Sequence, residues 1–149
     1  METIEFDIKT REEQKNNKGR VTQNGRSCMD FIVSGQSVKT RLNSDDMDLI
    51  SPFGWGDENY EREIIKEFIG LKKPEISTGR IMIYVCPECA DIGCGCISAD
   101  IEITTDKVIW KNFGYENNYS DIDFDSYKDV APIEFDKADY LKKFQNLKR

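Results

Sequence analysis

Three β-patterned stretches follow one another between residues 80 and 113, and they constrain this chain more than any other feature. R-I-M-I-Y-V-C (80–86) is apolar and β-branched. After a short interruption, residues 96–104 set Ile97, Ala99, Ile101 and Ile103 against polar partners. T-T-D-K then turns the chain into V-I-W-K-N-F. Alternation at period two is the mark of strands with one buried face, and short polar turns between them predict an antiparallel meander. Whatever else folds here must cover that sheet.

The flanking sequence supplies candidates. Ile4, Phe6 and Ile8 alternate with charged residues and predict a strand, followed by a polar loop R-E-E-Q-K-N-N-K-G-R. Residues 28–42 predict a hairpin: C-M-D-F-I-V, the turn S-G-Q, then S-V-K-T-R-L. Asp57 is placed to cap a helix over residues 59–72, with Tyr60, Ile64, Phe68 and Leu71 on one face, Ile65 and Ile69 widening it, and Pro74 as its stop. Asp136 caps a last helix, with Phe135 stapled onto Tyr140 and an inner face of Tyr140, Leu141, Phe144 and Leu147. No repeat and no Pro/Ser-rich linker divides the chain. The expectation is one α+β domain over residues 1–149: an antiparallel sheet, hairpin plus three-stranded meander, packed with two amphipathic helices.

Composition excludes several functions. A net charge of −7 argues against nucleic-acid binding, which needs a cationic surface to displace phosphate counterions. No apolar run approaches a membrane span, and the N-terminus lacks the charged and apolar regions of a signal peptide. A cytoplasmic location is expected, where free cysteines are ordinary and the lone Cys28 packs as a small apolar residue. With no histidine, the commonest general base and the catalytic triads built on it are missing, and no phosphate-binding loop occurs. The expectation is a protein that is not an enzyme.

Two features remain to carry function. From residue 115 to residue 139 eight acids face two lysines, a local charge of −6. That segment is either a solvated loop or an anionic patch for a basic partner. On the second reading Glu116, Asp121, Asp123, Asp125 and Asp129 steer the encounter, and Tyr119, Phe124 and Tyr127 are the aromatic anchors. S-P-F-G-W-G (51–56) allows Phe53 and Trp55 to serve as anchors too, or to tuck under the domain. D-I-D-F-D-S-Y-K-D (121–129) has acids at calcium-loop spacing but lacks the loop's glycine and its closing glutamate.

The second feature is C-P-E-C-A-D-I-G-C-G-C, which puts four of five cysteines in eleven residues. Cys86, Cys89, Cys94 and Cys96 are thiolate ligands suited to zinc, and C-P-E-C matches half of a zinc knuckle. Against this, all four lie in one connection and C-x-C chelates a tetrahedral ion awkwardly; a three-cysteine site recruiting a carboxylate such as Asp91 is a variant. A plain hairpin loop is the other reading, with Gly93 and Gly95 at positive φ and the cysteines packed as small hydrophobes. A redox C-x-x-C needs its first cysteine at a helix N-terminus, whereas these flanks read as strands.

The segment G-R-I-M-I-Y-V-C-P-E-C-A-D-I-G-C-G followed by V-I-W-K-N-F-G-Y-E resembles a family of small uncharacterised bacterial proteins with a Y-V-C-P-E-C-x-D-x-G-C-G turn and a W-x-x-F-G-Y-E strand. The resemblance implies three motif cysteines, matching Cys86, Cys89 and Cys94, with Cys96 an addition; it brings no activity with it. In acidity, size and lack of catalytic groups the chain is also similar in character to the immunity proteins of contact-dependent growth inhibition and other polymorphic toxin systems. That likeness implies occlusion of a cognate, basic toxin domain. The alternative it leaves is a small zinc-binding structural module.

Overall fold

The computed structural model describes residues 1–147. Its larger sheet is antiparallel with strands in chain order: β6 (Ile81–Tyr84), β7 (Cys96–Ile103), β8 (Lys107–Glu116) and β9 (Ile133–Asp136). The expected meander is its first three strands. The fourth was hidden in I-E-F-D, which reads as the approach to the last helix. It does serve as that approach, but on the way Phe135 pairs with Val108 and Ile133 with Trp110. Both side chains are fully buried.

A second sheet pairs β1 (Ile4–Arg11) with β4 (Arg26–Val33) over their whole length, with the two-residue β5 (Gln36–Ser37) beside β4. The loop expected between β1 and β4 forms a small hairpin of β2 (Gln14–Lys15) and β3 (Val21–Gln23). The returning hairpin strand is corrected to a turn of helix, α1 (Val38–Arg41). Ser37 Oγ accepts from the Lys39 N–H at 3.2 Å and starts it. Val38 and Leu42 lie four residues apart, a spacing that suits either period, and both are buried.

The helix α2 (Glu58–Phe68) begins where expected, with the Asp57 carboxylate accepting from Tyr60 N at 3.1 Å. It ends earlier. Gly70 at φ +80 lets Gly70 N reach Glu67 O and Leu71 N reach Lys66 O, the paired bonds that satisfy a helix's last carbonyls. Leu71, expected on the inner face, is therefore past the end and 75% exposed. The last helix, α3 (Lys137–Asn146), is capped by Asp136 accepting from Asp139 N at 2.9 Å. Phe135 packs on Tyr140 with ring centroids 5.4 Å apart.

One aromatic core joins the two sheets to α2 and α3. Phe31 touches Phe6, Phe53, Phe68, Tyr84 and Trp110 with centroids 5.3 to 6.1 Å apart. Buried polar ends are satisfied: Trp110 Nε1 donates to Tyr140 Oη, which donates to the Phe68 carbonyl, and Tyr84 Oη donates to Asp30. Burial of this kind, worth about 1.5–3 kcal/mol per large side chain, is what fixes the frame on which the surface features sit.

Candidate metal centre and acidic face

β6 leaves the core at Val85, which exchanges both backbone hydrogen bonds with Ile50. The chain then makes two turns before β7. Ala90 N donates to Cys86 O at 2.9 Å and closes C-P-E-C. Asp91 caps a single 3-10 turn, Ile92–Cys94, its Oδ1 accepting from Gly93 N at 3.0 Å. Gly95 follows at φ +88, and a Cβ there would lie 1.9 Å from Tyr115 Oη. Of the two glycines expected at positive φ, only Gly95 adopts it; Ala90 takes the other left-handed position at φ 56. The turn is tied down from outside: Arg26 Nε donates to Pro87 O, while Glu88 accepts from Arg11 and from Asn24.

This path brings Cys86, Cys89 and Cys94 together, their sulfurs all within 4.8 Å of one another and Cys89 Sγ 3.2 Å from Cys94 Sγ. Three sulfurs on a zinc ion with bonds of about 2.3 Å are about 3.8 Å apart, so the cluster is of metal-binding size. All three are free thiols at the surface or near it. Burial raises the Cys86 thiol, but the N–H groups of Glu88 and Cys89 and the neighbouring thiols outweigh it and hold it below the ordinary thiol value. Hydrogen bonds to Cys89 and Cys86 instead push Cys94 up to about 12.

Cys96 is not part of the cluster, which corrects the four-cysteine set. As first residue of β7 it points inward and is fully buried with Ile76, Met82 and Val85. Desolvation, and then the negative charge of Glu116, raises its thiol to about 12. It is an apolar packing residue, as is Cys28 at 4% exposure.

The acidic segment splits the same way. Asp121, Asp123, Asp125 and Asp129 are exposed, as are Tyr119 (81%) and Phe124 (46%). Asp123 exchanges backbone hydrogen bonds with Tyr115, and its carboxylate accepts from Ser126 N and Oγ, which depresses its pKa. Glu116 and Tyr127 are corrected: neither faces a partner. Glu116 is 2% exposed and is the counter-ion of buried Arg80, 3.2 Å away, with Ser98 and Thr78 as further donors. Tyr127 is buried, its hydroxyl 3.5 Å from Ser44 Oγ. Charge counting cannot separate a buried acid from an exposed one; Arg80 opening an otherwise apolar strand was the available sign.

A cleft of about 660 Å³ joins the two features. Trp55, Tyr60, Ile76, Met82 and Ile92 give it apolar walls, and Cys89 lines it from the metal-binding turn. Asn118 lines it from the acidic segment, and the Tyr119 hydroxyl lies 3.6 Å from where a Cβ on Gly93 would be. Its lining holds four carboxylates, Asp57, Glu75, Glu88 and Asp91, and among the described residues no lysine or arginine. In S-P-F-G-W-G, Phe53 tucks into the core, and Trp55 lines the cleft with the Arg26 guanidinium 5.3 Å above its ring. Among the described residues no helix is long and apolar enough to cross a membrane. No protein-family profile matches this chain, and neither a curated protein nor a solved structure matches it.

Proposed function

We propose that the chain is a zinc-bearing binding protein, whose metal-holding turn forms one wall of an acidic face that docks a basic protein. The observation that carries this is the cluster of Cys86, Cys89 and Cys94 at the edge of a carboxylate-lined cleft. Three converging thiols favour zinc over the harder cations, and zinc would add rigidity to a turn that otherwise rests on a small apolar cluster through Ala90 and Ile92. The residues then divide by role: the three cysteines hold the ion, Arg26 and Arg11 fasten the turn, and the cleft and the exposed acids meet the partner.

The partner reading is that of an immunity-type protein that blocks a basic toxin domain by occlusion. It is supported by Tyr119 and Phe124 standing exposed in the segment that carries Asp121, Asp123, Asp125 and Asp129, and by Asn118 of that segment lining the acidic cleft. Opposite fields would give fast, salt-sensitive association, with aromatic side chains supplying the fixed contacts. Co-expression with a basic toxin domain encoded beside it tests this. The expected result is a stable complex and protected cells, with binding weakened by salt and by Tyr119→Ala plus Phe124→Ala. Failure to bind or protect would end the toxin reading and leave the zinc-binding module.

A further inference from the structure

The metal-binding turn offers three protein donors. Among the described residues no fourth cysteine, aspartate or glutamate atom joins the group formed by Cys86, Cys89 and Cys94. Cys96 is turned into the apolar cluster, and the Asp91 carboxylate, one oxygen of which caps the 3-10 turn by accepting from Gly93 N–H, lies outside the group. Zinc with three protein ligands keeps a fourth position for water or an outside donor. Cys89 lines the 660 Å³ cleft, so a ligand seated in the cleft lies beside the cluster.

We propose that the fourth donor comes from another molecule, and that it is a neutral imidazole: a histidine of the docked basic partner. This rests on the zinc reading above. The choice of donor follows from charge. Zinc with three thiolates already carries a net negative charge, and Asp57, Glu75 and Asp91 border the same space with no salt bridge to a lysine or arginine among the described residues. A carboxylate or a fourth thiolate would enter against that field, whereas an uncharged nitrogen would not. The chain itself contains no histidine, so an imidazole at this site must be exogenous. The apolar walls of Trp55, Tyr60 and Met82 suit the ring's faces, and the acidic lining suits basic residues flanking a histidine. The step is a ligand substitution: a metal–nitrogen bond forms and a water leaves, with no change of oxidation state.

Cobalt(II) replaces zinc in such sites and reports its ligands in the visible spectrum. The test loads the full chain with one equivalent of cobalt and titrates it with free imidazole. The expected result is a tetrahedral spectrum of three thiolates that shifts and saturates with imidazole, with nitrogen hyperfine modulation appearing in the electron spin echo. Asp91→Asn, which keeps an oxygen for the Gly93 N–H, and Cys96→Ser should both give the same shift. A spectrum that ignores imidazole would overturn the proposal, as would a four-thiolate spectrum lost in Cys96→Ser or a spectrum altered by Asp91→Asn before imidazole is added. Failure to bind cobalt or zinc at all would refute the zinc reading itself. Should Cys96→Ser not fold, the wild-type titration and Asp91→Asn decide the question.

Discussion

Arg80 and Glu116 show what one charged pair does when both members are buried. Arg80 donates to Ser98 Oγ, to the Ser98 and Asn112 carbonyls and to Glu116, and its guanidinium lies 4.9 Å from the Phe124 ring. It thereby fastens three strands and the start of the acidic segment. A buried pair adds little over an apolar replacement, but removing one member strands the other. Glu116→Ala should cost about 3 kcal/mol in urea denaturation. A change near zero would mean that Asp100, 3.5 Å from Arg80, suffices as its partner. Glu67 is the opposite case. It is 5% exposed, its Oε2 has no hydrogen-bond partner, and burial raises its carboxyl above the ordinary range. The folded chain holds that proton more tightly than the unfolded chain, so stability falls as pH rises from the ordinary carboxylate value through the raised one. Glu67→Gln should therefore stabilise by about 1 kcal/mol at neutral pH, and by less at about pH 4. Destabilisation at both values would contradict this.

The turn between β6 and β7 is the element on which the candidate site depends. Its shape needs Gly95, because φ is +88 and Tyr115 occupies the space a side chain would take. Gly95→Ala should cost about 2 kcal/mol and reduce metal affinity, measurable by thermal unfolding and by competition with a chelator. The turn is also tied to β1 by Arg11, which bonds Asp48 through two nitrogens at 2.8 Å and Glu88 at 3.0 Å. Hydrogen bonding to Arg11 depresses Asp48; Asn24 first and Arg11 next depress Glu88. Depressed carboxyls stabilise the fold above their ordinary value and lose that contribution as pH falls through the lowered one. The clasp should open only below about pH 4, and proteolysis near Glu88 should accelerate there in the wild type. In Arg11→Ala cleavage should be fast at neutral pH as well; equal rates at neutral pH would show that the clasp does not hold the turn.

At the scale of the molecule, the parts legible from sequence were those set by local chemistry. Asp57 and Asp136 cap their helices because a short carboxylate before an apolar face has one best use. The meander was readable because its alternation is unbroken over Ile97, Ala99 and Ile101. What stayed hidden was decided by tertiary partners. Val38 and Leu42 fit both periods, and only the Ser37 cap chose the helix. Glu116 counted as surface charge until Arg80 was found beside it. Cys96 looked like a ligand because it follows Cys94 by two residues, yet after Gly95 at φ +88 β7 starts with the Cys96 side chain buried. The triad could be suspected from C-P-E-C, but the cleft that gives it a neighbour is assembled from distant segments, Trp55 and Cys89 among them.

The central claim, that Cys86, Cys89 and Cys94 and not Cys96 hold a metal ion, meets its most direct test in elemental analysis of the protein purified without chelators. One zinc per chain is the expected content, kept in Cys96→Ser and lost in Cys89→Ser, with the folded state of each variant checked by circular dichroism. A zinc-free wild type that takes up none when zinc is added, or a content that falls with Cys96 and survives loss of Cys89, would contradict it.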